Sequence, residues 1–123
     1  MLNFGFSQPI HLCCTPIDMR KSFDGLCGII TNSFKKDPTL DGIFAFVNKQ
    51  RNKMKLLFWD CHGYWLFYKR LETGRFQMPS ADSTDMDPEA LQITMEQLML
   101  IIEGIDLTSV RRRKRYKISQ NMY

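Results

Sequence analysis

The run Ile43-Phe44-Ala45-Phe46-Val47 is followed by the polar break Asn48-Lys49-Gln50-Arg51-Asn52 and then by Lys53-Met54-Lys55-Leu56-Leu57-Phe58-Trp59. A second break, Asp60-Cys61-His62-Gly63, leads into Tyr64-Trp65-Leu66-Phe67-Tyr68-Lys69-Arg70-Leu71. Short aromatic and branched runs parted by turn residues predict strands joined by hairpins. Gly63 is expected to take the positive φ that a tight turn needs. Thr73-Gly74 marks a further reversal before a short strand, Arg75-Phe76-Gln77. The stretch therefore reads as an antiparallel meander of three or four strands.

Alternation along a strand assigns Met54, Leu56 and Phe58 to one face of the second run, and Lys53, Lys55, Leu57 and Trp59 to the other. In the third run Trp65, Phe67, Lys69 and Leu71 share a face, opposite Tyr64, Leu66, Tyr68 and Arg70. One face must cover a core. The other then mixes rings with cations, which suits a surface that stacks bases and meets phosphate. Helices covering both faces, with the cations at the rim, satisfy the same pattern. The sequence leaves the two readings open.

Upstream, Ile10-His11-Leu12-Cys13-Cys14 reads as a first strand ended by Pro16. Asp18 is then expected to cap a helix. Met19, Phe23, Leu26, Ile30 and Phe34 recur at helical spacing, a stripe about four turns long. Gly25 and Gly28 each cost roughly 1 kcal/mol inside a helix relative to Ala, and are expected to permit close packing on a sheet. Lys35-Lys36-Asp37-Pro38 closes the helix, and Asp41-Gly42 turns the chain into the meander. Downstream, residues 78–89 are dominated by Pro, Ser, Asp and Thr and read as a loop. Leu91-Gln92-Ile93 follows as a short edge strand. Thr94-Met95-Glu96-Gln97 matches a capping box, and Met95, Leu98, Met99 and Ile102 form the stripe of a helix ending at Gly104. A helix start at Asp87-Pro88 is also physically sound.

Two blocks carry a resemblance. Leu57 to Phe76 contains Trp59-Asp60-x-x-Gly63, followed by Tyr68-Lys69-Arg70-Leu71-Glu72-x-Gly74-Arg75-Phe76. Upstream stands Pro16-x-Asp18-Met19-Arg20-Lys21-x-x-Asp24-Gly25-Leu26. Together they resemble the TnpB-type accessory proteins, the second open reading frame of the insertion-sequence-66 transposon family, over roughly Ile10 to Ile105. The resemblance implies an accessory role in DNA transposition beside a separate, larger transposase. It also favours the later start of the C-terminal helix.

With 123 residues, 44% hydrophobic and 24% charged, the chain has room for one domain with a real core. No apolar run reaches membrane-spanning length, and the N-terminus lacks the layout of a signal peptide. Cys13, Cys14, Cys27 and Cys61 form no C-x-x-C pair, so reduced, buried thiols in a cytoplasmic protein are expected. The net charge of +4 is segregated. Residues 1–78 hold eleven Lys/Arg against six Asp/Glu, residues 79–106 hold seven acids and no base, and the remainder holds six bases and no acid. Such segregation points to a polyanionic partner more strongly than net charge does.

The basic run Arg111-Arg112-Arg113-Lys114-Arg115-Tyr116-Lys117 suits phosphate, with each cation able to release a counterion, or else it is a solvated tail. Lys69, Arg70 and Arg75 are the candidate recognition cations of the sheet, with Glu72 as the competing internal counter-ion between Arg70 and Arg75. Arg20 or Lys21 is expected to pair with Asp24 at helical spacing. His11, Cys13 and Cys14, or Cys61 with His62, lack the spacing of a zinc site. Adjacent Cys61 and His62 make a poor nucleophile–base pair. Asp18, Asp24, Asp60 and Glu72 are too scattered to assemble a metal-dependent nuclease. No catalytic residue, metal or cofactor is assigned.

The expectation is a single α+β domain over residues 1–106, with a basic, flexible tail over 107–123. Its antiparallel sheet packs with one long N-terminal helix and a C-terminal helix. The expected function is a non-catalytic accessory role in transposition, binding transposon DNA, the transposase of the same element, or both. A transposase adaptor without DNA binding is the alternative, and a cysteine-dependent enzyme an outsider. Self-association is left open.

Overall fold

The computed structural model describes residues 8–79 and 90–104. Its elements run β1 (Ile10–Cys13), α1 (Phe23–Asn32), β2 (Ile43–Val47), β3 (Lys53–Trp59), β4 (Tyr64–Arg70), β5 (Ala90–Ile93) and α2 (Met95–Glu103). The five strands form one sheet in the order β4-β3-β2-β1-β5. The hairpins are as expected, with β2–β3 and β3–β4 antiparallel.

The sheet is mixed rather than antiparallel, because β1 pairs with β2 in parallel, Ile10 beside Ile43. A helical connection between adjacent strands brings the chain back to the end where it started, and two strands so joined run the same way. β5 closes the other edge antiparallel to β1.

Both faces are covered. Ile10, Leu12, Ile43, Ala45, Val47, Met54, Leu56 and Phe58 form one core with Met95, Leu98 and Ile101 of α2. Phe44, Phe46, Leu57 and Cys13 form another with Leu26, Ile30 and Phe34 on the α1 side. β2 is buried at every position, as a central strand between two helices must be.

α1 is ten residues long and not the expected four-turn helix. Asp18 does not cap it. Its carboxylate instead accepts the Arg20 N–H at 2.8 Å and the Arg20 guanidinium, while Lys21 N–H closes a separate turn on Asp18 O at 3.0 Å. Ser22 takes the N-cap position without a side-chain cap bond. The helix loosens after Asn32: Phe34 N–H reaches back to Ile29 O, and Lys35 turns left-handed at φ 56°. Phe34 still buries itself, stacking on Phe44 and Phe46 from beyond the helix. The glycines of α1 do not mediate sheet contact. A Cβ on Gly28 would meet nothing within 4 Å, and one on Gly25 would meet the Lys21 side chain at 3.3 Å.

At the β3–β4 turn the left-handed residue is Cys61, at φ 84°, and not Gly63. The Asp60 carboxylate sets that geometry by accepting the His62 and Gly63 N–H groups and the Trp65 indole N–H. Residues 75–77 form no strand. Leu71 N–H donates to Asn52 O at 2.7 Å and Phe76 N–H to Arg51 O at 2.6 Å, so the chain folds back against the β2–β3 turn and buries the Phe76 ring. The thiols are not uniformly buried: Cys13 is, whereas Cys61 is exposed. α2 follows expectation, with the reciprocal Thr94–Gln97 capping box and a left-handed Gly104 at φ 78°.

Candidate functional site

The organising contact at one end of the sheet is Lys55, only 5% exposed on the α1 side of β3. Its ammonium donates to Met19 O and Lys21 O, each at 2.7 Å, and lies 4.8 Å from the centroid of the Tyr68 ring. Tyr68 is the direct cross-strand partner of Lys55. One buried cation thus ties the Asp18–Lys21 turn of the first sequence block to the strand of the second. A buried ammonium needs such acceptors, since desolvating it without them is costly.

Around this tie the cations collect. Asn48 Oδ1 accepts the Asn52 and Lys53 N–H groups, both at 3.0 Å, and so pins the β2–β3 turn that carries Lys49 and Arg51. Lys53 stands directly opposite Arg70. The fold-back at Phe76 brings Arg75 to the same turn. Ile17 N–H on Val47 O, at 3.0 Å, anchors the stretch leading to Arg20 and Lys21 there. Asp18 and Glu72 share this end. Asp18 is already paired with Arg20, and Glu72 with Arg70 at 2.8 Å. Hydrogen bonds from the Arg20 side chain and backbone hold the Asp18 carboxyl down to about 2.

Among the described residues these are the two ion pairs, and Lys49, Lys53 and Arg75 take part in neither. An open cleft of about 590 Å³ lies between the two turns, lined by Asp18, Arg20, Asn48, Lys49, Lys53 and Tyr68. Tyr68 is 54% exposed above it. Like charges placed directly across a strand pair oppose folding unless something anionic meets them. Glu72 already meets Arg70, so the cations the cleft offers to phosphate or carboxylate are Lys49 and Lys53, outside both ion pairs, with the Tyr68 ring beside them.

The sequence-predicted residues divide. Arg70 and Tyr68 share the cleft face, and Arg75 is exposed near it. Lys69 points the other way and donates to Ile102 O of α2 at 3.1 Å. Arg20 pairs with Asp18 rather than Asp24, because the turn places that carboxylate on its own backbone. Most of the two blocks is scaffold. Leu26 and Phe76 are buried, Trp59 packs edge-on against Tyr64 at 4.9 Å, Leu71 packs on the core, and Gly74 turns at φ 77°. Lys49, Lys53 and Lys55 were not among the candidate recognition cations. Lys53 and Lys55 were legible as cations on the face of Tyr68 and Arg70, but their pairing needed the register. The basic run Arg111 to Lys117 lies outside the described residues; Gly104, from which the chain continues toward it, follows the Ile102 carbonyl that Lys69 meets.

Among the described residues no three His, Cys, Asp or Glu side chains gather to hold a metal ion, and no helix is long and apolar enough to cross a membrane. Fold and site define a small mixed α/β protein with a cationic, aromatic end. The chain belongs to the IS66 Orf2-like protein family, whose model matches residues 8–112. Two relatives come from Sinorhizobium fredii. The uncharacterized protein y4jC is 30% identical over 104 residues, covering 85% of each chain. The uncharacterized protein y4hO is 31% identical over 106 residues, covering 86% of this chain and 88% of its own. No solved structure matches the chain significantly. Family membership suggests an accessory protein of transposition, associated with the transposase of the same element.

Proposed function

We propose that this protein is a non-catalytic accessory factor of transposition that binds DNA of its element through the basic end of the sheet. The observation that carries the reading is Lys53 opposite Arg70, beside exposed Tyr68 and over the turn held by Lys55. Lys49, Arg51 and Arg75 extend the cationic surface, and each phosphate they neutralise releases counterions. The Arg111–Lys117 run adds sequence-indifferent affinity in the same way. In this reading strand chemistry belongs to the transposase.

The test is binding of labelled transposon-end DNA by the full chain and by Lys53→Glu with Arg70→Glu, alongside capture of the transposase by both. DNA binding that falls in the folded double variant supports the reading. Wild-type DNA binding by that variant, or no DNA binding by either, contradicts it. Loss of transposase capture alone would favour an adaptor whose cations meet acidic protein surface.

A further inference from the structure

β4 is the long edge of the sheet, seven residues with no strand on its outer side among the described residues. Its backbone polarity follows from two bonds. Asp60 N–H donates to Gly63 O and Leu71 N–H to Asn52 O, both within the β3–β4 register. Odd-numbered residues of β4 therefore direct their N–H and C=O groups to β3. Those of Tyr64, Leu66, Tyr68 and Arg70 face outward. An edge with free donors and acceptors is a template for another strand. Trp65, 41% exposed, and Tyr68 stand along it, whereas Lys69 and Arg70 are confined to its C-terminal end.

That asymmetry selects the occupant. We propose that β4 pairs antiparallel with β4 of a second copy, centred on Phe67, so that Tyr64 faces Arg70, Leu66 faces Tyr68 and Trp65 faces Lys69 across the dimer. Only even-numbered residues meet in the hydrogen-bonded pairs of this register, as the outward backbone groups require. Trp65 and Lys69 fall in a closer, non-hydrogen-bonded pair, where the aliphatic stem of Lys69 can pack on the indole face while its ammonium keeps the Ile102 carbonyl. Parallel pairing in register would instead set Lys69 and Arg70 against themselves. Antiparallel pairing continues each face of one sheet into the same face of the other, so the two Lys53–Arg70 surfaces would share one side of the joint sheet.

Sedimentation velocity of the full chain over a concentration series tests this. Wild type is expected to associate to a dimer. Trp65→Lys opposes two ammonium pairs by symmetry and is expected to weaken association about tenfold or more. Adding Lys69→Glu to Trp65→Lys restores opposite charge across the interface and is expected to recover the dimer. Within one chain the two positions are four residues apart along a strand, too far to compensate each other. A monomeric wild type, unchanged association of Trp65→Lys, or no recovery in the double variant overturns the proposal. Should Trp65→Lys fail to fold, amide exchange of wild type decides. The Leu66 and Tyr68 amides gain protection with concentration if the proposal holds, and stay unchanged if it does not.

Discussion

The ammonium of Lys55 lies 2.7 Å from the carbonyl oxygen of Met19, thirty-six residues upstream, and the same distance from Lys21 O. Together with the Ile17–Val47 backbone bond and the packing of Ile17 on the core, this contact fixes the Asp18–Lys21 turn on the sheet. Replacement by a side chain of similar length without charge, Lys55→Met, leaves two carbonyls without their donor and Tyr68 without its cation. A loss of about 2–4 kcal/mol is expected, since bonds to charged groups contribute more than neutral ones. Chemical denaturation checks the cost. Faster amide exchange over residues 18–22, with β2 still protected, checks the location.

The β3–β4 turn separates two substitutions that the sequence alone would have ranked the other way. Gly63→Ala is expected to be nearly neutral, because φ is not positive there and no atom lies within 4 Å of the added Cβ. Cys61 occupies φ 84°. Cys61→Gly should therefore raise stability by about 0.5–1 kcal/mol, and Cys61→Val should lower it by about 1–2 kcal/mol. Paired melting curves check both signs.

Gly42 is under a stricter constraint. Its φ is 113°, and a Cβ would sit 2.1 Å from Pro9 O. That carbonyl accepts the Ile43 N–H at 2.9 Å at the start of the parallel β1–β2 pair. Gly42→Ala must shift backbone, and a loss of about 2–4 kcal/mol is expected from the forbidden φ and the clash together. Equilibrium unfolding measures it.

His11 is expected to make the fold sensitive to acid. Buried against Phe44, its ring lies 2.9 Å from Asp41 O through Nε2. Burial holds its pKa below the ordinary 6.5, with the Lys36 charge adding to the effect and Asp41 opposing it. The unfolded chain takes up this proton near 6.5 and the folded chain resists until lower pH. The contribution is therefore fully present above 6.5 and is lost as pH falls through the folded value. The melting temperature should drop between about pH 7 and 5, and His11→Gln should flatten that part of the profile.

The hairpins, the C-terminal capping box and the short edge strand β5 were legible because each is written in local residues: alternation, turn polarity, Thr94 with Gln97. Parallel pairing of β1 was not, since nothing in Ile10–Cys13 says which neighbour it takes. The first helix was overread because Met19 and Phe34 keep the helical spacing while Asp18 and Lys35 direct the backbone elsewhere. Opposite-face placement of Lys69 and Arg70 followed from alternation. That Lys53 meets Arg70, and that Phe76 folds Arg75 back to the same turn, depends on register and long-range backbone bonds that no local pattern encodes.

The central claim is that the basic end of the sheet meets nucleic acid phosphate. Its most direct test is the salt dependence of affinity for transposon-end DNA, measured for the full chain and for the full chain carrying Lys49→Glu, Lys53→Glu and Arg75→Glu. These cations are outside the two ion pairs of the described residues, so their reversal disturbs no native contact of that kind. Each phosphate contact contributes close to one unit to the slope of log affinity against log salt. The slope is expected to flatten by about two to three units with affinity falling across all sequences, while the melting temperature holds. An unchanged slope in a folded variant would contradict the account and leave the DNA, if it binds at all, somewhere other than this surface.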